Sequence, residues 1–311
     1  MRILSFNIQN LRLRMAHGHA RLDGARDRDD SEETSAFDPA DRRLAAALLA
    51  GAGADLVLLQ EVFDTETLDW FNTRLLPAAG LPAYPHAHCP PGNDGRGLDI
   101  AVLSRVPVGI ESNAHLTPTD LGLDAAHPDL PLFRRDCLII EAGDLTIFAC
   151  HFKAPYPDPE AAWPVRKLEA EATRALIVRR FADPTQALWL IAGDLNDPAS
   201  AGEERATNAL LPPFSVDLMA RLPADARWTY YDVHSGRYDQ PDALLASPAL
   251  AARWPTAVPK VLRAGLGHEA TRHQGAHLPG VGRHRPHASD HAALLLQLGE
   301  ADATNANGPP K

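Results

Sequence analysis

Residues 188–197 read LWLIAGDLND, and this stretch decides how the rest of the chain is parsed. Its first half, Leu188 to Ala192, is a short unbroken apolar run, the pattern of a strand covered on both faces. Its second half turns polar where such a strand would end, with Asp194, Asn196 and Asp197. The same design recurs outward in both directions. The run 56–59 ends in Gln60 and Glu61, "TIFACHFK" is broken by His151, and the first strand, 2–8, is interrupted by Asn7. Elsewhere the polar residue comes first: Asp99 before IAVLS, Asp242 before ALLAS, and Asp290-His291 before AALLLQL. Strand ends converge at the rim of a packed sheet, so these residues are expected to share one cleft.

Helical patterns alternate with the strands, at 41–50 with Gly51 and Gly53 behind it, near 65–76, and at 160–181 behind Pro159. An α/β architecture follows. Gly143-Asp144 reads as a two-residue hairpin loop between the strands beginning at Cys137 and Leu145. Counting outward pairs Cys137 with Cys150, Arg135 with Phe152 and Arg134 with Lys153. Three cysteines are no disulfide framework, and Cys137 and Cys150 are expected as free thiols packing like small hydrophobes.

At 311 residues the chain fits one large domain or two, and no linker divides it. Apolar residues at 45% rule out a disordered chain. With 30 basic and 40 acidic side chains the net charge is −10, which argues against wrapping an extended nucleic acid but not against phosphate binding inside a cleft. No apolar run approaches a membrane span, and no secretory leader precedes the first strand, so a cytoplasmic protein is expected unless a leader has been removed.

Asn7, Glu61 and Asp290 are hard oxygen donors of the kind Mg²⁺ or Mn²⁺ takes. The histidines and remaining carboxylates supply proton transfer. Two stretches stand apart. Residues 12–40 are polar and highly charged, and begin at the same rim; residues 263–289 carry four arginines and five histidines beside Asp290-His291, as a lid or rim would. The spacing of His268, His273, His277, His284 and His287 repeats no metal-ligand pattern, so no second metal site is expected there.

Taken in order, LSFNIQN, LLQEV, GLDIAVLSR, CHFKA, AGDLND, PDALLAS and ASDHAALL resemble the signatures of the endonuclease/exonuclease/phosphatase superfamily, which includes exonuclease III-like and pancreatic-type deoxyribonucleases. The resemblance implies a four-layer αββα sandwich of two mixed β-sheets flanked by helices. It would form a single catalytic domain over 1–298, with 299–311 a disordered tail. It makes Glu61 the principal ligand of Mg²⁺ or Mn²⁺, with Asn7 and Asp290. Asp194 would orient or deprotonate the attacking water and Asn196 would bond a phosphate oxygen. His291, set by Asp242, would contact the scissile phosphate or accept the water proton, His151 would hydrogen-bond the same phosphate, and Asp99 would support that network. Arg135 matches an arginine of bacterial relatives, whereas strand alternation offers Arg134 and Asp136 to the face of His151; Lys153 is a further candidate phosphate contact. The implied activity is divalent-metal-dependent phosphodiester hydrolysis by a monomeric nuclease acting on DNA. The alternatives are an enzyme of small phosphoesters or phospholipid head groups, and an inactive interaction scaffold.

Overall fold

Leu56 and Leu58 point to one side of their strand and Val57 and Leu59 to the other, and all four are fully buried. Period-two alternation with apolar residues on both faces forces a layer above and a layer below. In the computed structural model, which describes residues 1–16, 18–26, 31–197 and 204–299, both layers are present.

Strands are numbered along the chain. One sheet runs, edge to edge, β15 (Lys260–Leu262), β16 (Ala293–Gln297), β1 (Arg2–Leu11), β4 (Leu56–Val62), β6 (Asp99–Ser104) and β5 (His86–His88). The other runs β11 (Val216–Asp217), β14 (Asp242–Ala246), β10 (Trp189–Asp194), β9 (Leu145–His151), β8 (Cys137–Ala142) and β7 (Gly109–Glu111). Both are mixed: β1 is parallel to β4, and β9 to β10, while the remaining neighbours are antiparallel. Two hairpins stand outside the sheets, β2 (Leu13–Ala16) with β3 (His19–Leu22), and β12 (Tyr230–Asp232) with β13 (Arg237–Asp239).

The inner faces meet through Ile3, Leu58, Ile100 and Val102 on one side and Ile140, Ile147, Leu190 and Leu244 on the other. The outer face of the first sheet, with Leu4, Phe6 and Leu59, packs on Leu44, Leu48 and Leu49 of the helix Asp38–Ala52. The outer face of the second, with Phe148, Trp189 and Ile191, packs on Ala170 and Ile177 of the helix Pro159–Arg180. This is the expected αββα sandwich. At about 1.5–3 kcal/mol per fully buried large aliphatic or aromatic side chain, these three interfaces are the dominant stabilising contribution.

The hairpin register is as counted, with Cys137 opposite Cys150 and their Sγ atoms 3.7 Å apart as free thiols. The helix expected near 65–76 is broken into Thr65–Trp70, a π-helical turn over Phe71–Leu75, and a last turn Leu76–Ala78. Pro77 has no amide hydrogen to continue the α-helical ladder, and the widened turn precedes it. The described parts of the two polar stretches are joined by side-chain bonds. Arg285 reaches from the second to Asp38 of the first, its Nη2 donating to Oδ1 at 3.0 Å, and its Nε donates to Asp41 Oδ2 at 2.9 Å just beyond it. His287 Nε2 donates to Ala25 O at 2.9 Å. Residue 17, residues 27–30 and the expected tail from residue 300 onward lie outside the described residues.

Candidate active site

Strand direction gathers the polar residues. Asn7, Glu61, His151 and Asp194 lie at or near the C-terminal ends of β1, β4, β9 and β10. Asp99, Asp242 and Asp290-His291 lie at the N-terminal ends of β6, β14 and β16, which run the opposite way. All therefore reach the same rim. Register finishes the job in the second sheet, where Asp194 has Asp242 beside it on one neighbour and His151 on the other.

The backbone at this rim is unusual. Glu61, Gln9, Asn10 and Asn196 have φ of 68°, 52°, 56° and 51°, in the left-handed region that side chains disfavour. Glu61 sits where the β4 pairing slips between Gln60 and Val62, so a bulge re-aims its carboxylate. Gly193 has φ 143°, and a Cβ there would fall 1.9 Å from the carbonyl oxygen of Cys150. Only glycine allows β9 and β10 this approach immediately before Asp194. The turn at Gln9 and Asn10 is clamped by Arg42, which is buried and donates to the carbonyls of Ile8, Gln9, Asn10, Asp23 and Gly24. That turn holds two further groups: Gln9 Oε1 accepts from Asp290 N at 3.2 Å and Asn10 N donates to Glu61 Oε2 at 2.9 Å.

Asp194 is the hub. Its Oδ2 accepts from Asn7 Nδ2 at 3.1 Å and faces His151 Nε2 at 3.6 Å and His291 Nε2 at 3.8 Å. Its Oδ1 accepts from Asn196 N at 2.9 Å. Burial raises its carboxyl to about 6, with the charge of Asp242 acting in the same direction. His291 donates through Nδ1 to Asp242 Oδ2 at 2.9 Å, which fixes the ring and leaves Nε2 toward Asp194. Burial opposes its protonation, but Asp242 and Asp194 outweigh it and hold His291 well above the usual imidazole value. His151 goes the other way: burial first, then the Arg135 and His291 charges, push it well down, so its 3.6 Å approach to Asp194 is that of a neutral ring. Two histidines on one carboxylate thus hold opposite protonation states.

Asn7 Nδ2 also donates to Glu61 Oε1 at 3.2 Å, while its Oδ1 accepts from Gln9 N at 3.0 Å. Asn7 therefore ties the Glu61 and Asp194 carboxylates to one amide. Ser289 Oγ donates to Asn7 O at 2.7 Å and seats the Ser289-Asp290-His291 turn against β1. Asp194, Asp242 and His291 offer ligand atoms within 4.8 Å of one another. The His291–Asp242 hydrogen bond and the approach of His291 Nε2 to Asp194 at 3.8 Å suit them to moving protons. The oxygens of Glu61, Asp290 and Asn7 are the donor set that fits a hard divalent cation, and a cation there would offset the crowded carboxylate charge that Asp194 registers.

The remaining expected residues divide. Arg135, not Arg134, stands by His151. It is buried, donates from Nη1 to Phe152 O at 2.8 Å, and pairs with Asp94 at 3.2 Å. The alternation argument fails because β8 starts only at Cys137, so residues 134–136 are outside the ladder. Asp136 instead accepts from Asn113 N at 2.8 Å. Arg134 is exposed, its backbone N–H bound to Glu169. Lys153 spends its ammonium on the carbonyls of Ala154 and Tyr156. Asp99 is buried under the 92–97 loop, where a Cβ on Gly92 would lie 2.7 Å from its Oδ1, and burial raises its carboxyl to about 6. Among the described residues no hydrogen bond or ion pair joins it to Asp194, His151 or His291.

Three contributors were missed in the sequence. Arg96, in the 92–97 loop, is paired with Asp94 and its charge reaches His151. Tyr230 bridges to His291 and sets its ring 4.9 Å from the imidazole. Glu169, buried in the long helix, accepts from the backbone N–H groups of Arg134 at 2.9 Å and Lys153 at 2.7 Å, fastening both sides of the His151 rim. Only the glycines around Arg96 hinted at any of them.

The sequence matches the Endonuclease/Exonuclease/phosphatase family over residues 4–291. No curated protein matches it at a significant level. Solved structures share the fold at low identity. Truncated TDP2 from Caenorhabditis elegans is 15% identical with TM-score 0.55, over 95% of each chain. A mannosyl-6-phosphatase of Bacteroides thetaiotaomicron is 13% identical with TM-score 0.56, over 96% of this chain and all (100%) of that one. An AP endonuclease from Archaeoglobus fulgidus is 15% identical with TM-score 0.54, over 96% and 98%. Among the described residues no helix is long and apolar enough to cross a membrane.

Proposed function

The chain belongs to the endonuclease/exonuclease/phosphatase family of phosphoester hydrolases, and from that premise we propose that it is a divalent-cation-dependent phosphodiesterase that cleaves DNA by in-line attack of water. The observation that carries the reading is the hub itself: one buried carboxylate, Asp194, faced by the imidazoles of His151 and His291 and tied by Asn7 to Glu61. Glu61, Asp290 and Asn7 would hold Mg²⁺ or Mn²⁺ through their side-chain oxygens. When bound, such an ion polarises the phosphoryl group and neutralises charge that builds on it.

The chain's own residues do the rest. Asp194 orients the attacking water and accepts its proton; its Oδ1 is already fixed by Asn196 N. Protonated His291, steadied by Asp242, offers an Nε2–H to a phosphate oxygen as negative charge develops. His151 offers a second, uncharged contact. The Asn196 amide gives one hydrogen to Phe152 O at 3.0 Å and keeps its other for phosphate. Arg135 and Arg96 lend positive potential behind His151.

Of the neighbours named above, one is by name an AP endonuclease and another a mannosyl-6-phosphatase, so the shared fold is compatible with either substrate class. A smaller phosphoester is the second reading, favoured by a specific observation: the arginines near the rim are spent internally. Arg135 bonds Phe152 O, Arg166 bonds Lys153 O and Arg205 bonds Asp197 O, and the chain's net charge is −10. The test is parallel turnover of supercoiled plasmid, linear duplex, single strands, bis-(p-nitrophenyl) phosphate and a sugar phosphate with Mg²⁺ or Mn²⁺. DNA cleavage that disappears in Asp194→Asn and Glu61→Gln supports the proposal. Turnover of small esters alone replaces it with the second reading.

A further inference from the structure

The segment between β15 and Ser289 gathers imidazoles that the active site does not use. Spacing along the chain gives no hint of this, but the turns bring His268, His273 and His277 together. His277 is central, its ring centre 4.1 Å from that of His268 and 4.9 Å from that of His273. His268 is exposed and the other two are half-buried, so solvent reaches the group. The loop beneath them is tied by backbone bonds, His268 N to Gly282 O at 3.0 Å, His273 N to Ala270 O at 2.9 Å and Leu278 N to Ala264 O at 2.8 Å.

The tautomers are set as well. His277 Nδ1 lies 2.9 Å from the Leu266 carbonyl, which can only accept, so Nδ1 carries the hydrogen and Nε2 presents its lone pair. Metal-bound imidazoles are fixed by the same kind of contact on their far nitrogen. His273 directs Nε2 to Ala276 O at 3.4 Å and so keeps Nδ1 as its acceptor. Its ring lies against Gly275, where a Cβ would come within 2.6 Å of His273 Cε1. Burial, followed by the Ala276 contact that opposes it and the charge of His277, leaves His273 below the usual imidazole value, hence neutral at pH 7.

We propose that His268, His273 and His277 form a transition-metal site of the Zn²⁺, Ni²⁺ or Cu²⁺ class, separate from the phosphoesterase centre. Nitrogen donors exclude Mg²⁺ from it. With metal–nitrogen bonds of about 2.0–2.1 Å, two imidazoles on a tetrahedral ion have ring centres about 5 Å apart. His273 and His277 already stand at 4.9 Å, and the exposed His268 ring swings out by roughly 1 Å to match. Water fills the remaining position. Among the described residues the group whose ligand atoms already converge is Asp194, Asp242 and His291, so loading would draw the three imidazoles of this loop together. The ion would then clip the segment whose far end delivers Asp290 and His291.

The test is calorimetric titration of the full chain with Zn²⁺ in excess Mg²⁺, repeated with Co²⁺ while following its visible absorption. One Zn²⁺ per chain is expected, with a Co²⁺ spectrum of tetrahedral nitrogen coordination. His277→Ala and His268→Ala each weaken binding by about tenfold or more, and His127→Ala, on a different loop, leaves it unchanged. Absence of binding, or binding equal in His277→Ala, overturns the proposal. So does binding that is lost in Glu61→Ala but kept in His277→Ala, which sets the ion in the active centre.

Discussion

Replacing Arg42 by methionine tests whether the active-site turn is held from behind. The guanidinium makes five bonds to carbonyl oxygens, of Ile8, Gln9, Asn10, Asp23 and Gly24, from a position only 1% exposed. At about 1.5 kcal/mol each, the low end for bonds to a charged group, they contribute roughly 7 kcal/mol. Against this stands the cost of burying the charge, which lowers Arg42 from its ordinary value to about 10; that shift corresponds to about 3 kcal/mol, relieved when the charge is removed. The net loss expected is about 4 kcal/mol, a large part of a domain's total stability. Urea unfolding followed by tryptophan fluorescence reads it as a lower midpoint at unchanged slope. Arg42→Lys keeps the charge but not the planar fork, and falls about halfway. A midpoint for Arg42→Met within about 1 kcal/mol of wild type refutes the reasoning.

Asp194→Asn keeps the hub's shape but removes its base, and turnover of any substrate should drop by about 10²- to 10⁴-fold in protein that remains folded; a tenfold or smaller effect in single-turnover kinetics denies Asp194 that role. Gly193→Ala places a methyl into the Cys150 carbonyl, and a loss above about 4 kcal/mol is expected; soluble, wild-type-like protein would contradict the close approach. Buried His287 is held down to about 3, so the unfolded chain binds its proton first as pH falls below the ordinary imidazole value of 6.5. Stability from this group is whole above that value and is lost progressively toward pH 3, by about 5 kcal/mol in all. His287→Gln should flatten that limb in pH-dependent urea melts. Glu169 acts in the opposite sense, its carboxyl raised to about 7 by burial from 4.5. Its ionisation costs stability as pH rises from about 4.5 to about 7, up to roughly 3 kcal/mol. Glu169→Leu should abolish the decline; a variant that keeps the wild-type pH profile assigns it elsewhere.

Much of the sandwich was legible because its strands are buried on both faces and end in charge, as at Leu56–Leu59 before Glu61. The hairpin register was legible too, because Gly143-Asp144 permits one count. What failed failed locally. Alternation misplaced Arg135 because it assumes a ladder that has not yet begun at residue 135. Periodicity also could not show the bulge that re-aims Glu61, since a single extra residue leaves the apolar pattern intact. Tyr230 and Glu169 act on the rim from a short hairpin and from the middle of a helix, where tertiary packing rather than local pattern gives them their partners. The histidines of 263–289 were invisible as a group because turns, not regular spacing, bring them together.

The stretch Gly193 to Asp197 carries two kinds of information under one motif. Gly193 is required by the Cys150 carbonyl, Asn196 by its left-handed backbone and its bond to Phe152 O, and Asp197 by the N–H and hydroxyl of Thr207. Each of these would remain necessary in a chain that had lost its chemistry altogether. Under the proposed mechanism Asp194 is the residue of the stretch whose loss ends the reaction while the motif's structural duties persist. A catalytically dead descendant of this protein would therefore still look largely intact to any comparison that weighs the motif as a whole, and would be unmasked at Asp194, at the histidines that face it and at the carboxylates proposed to hold the cation.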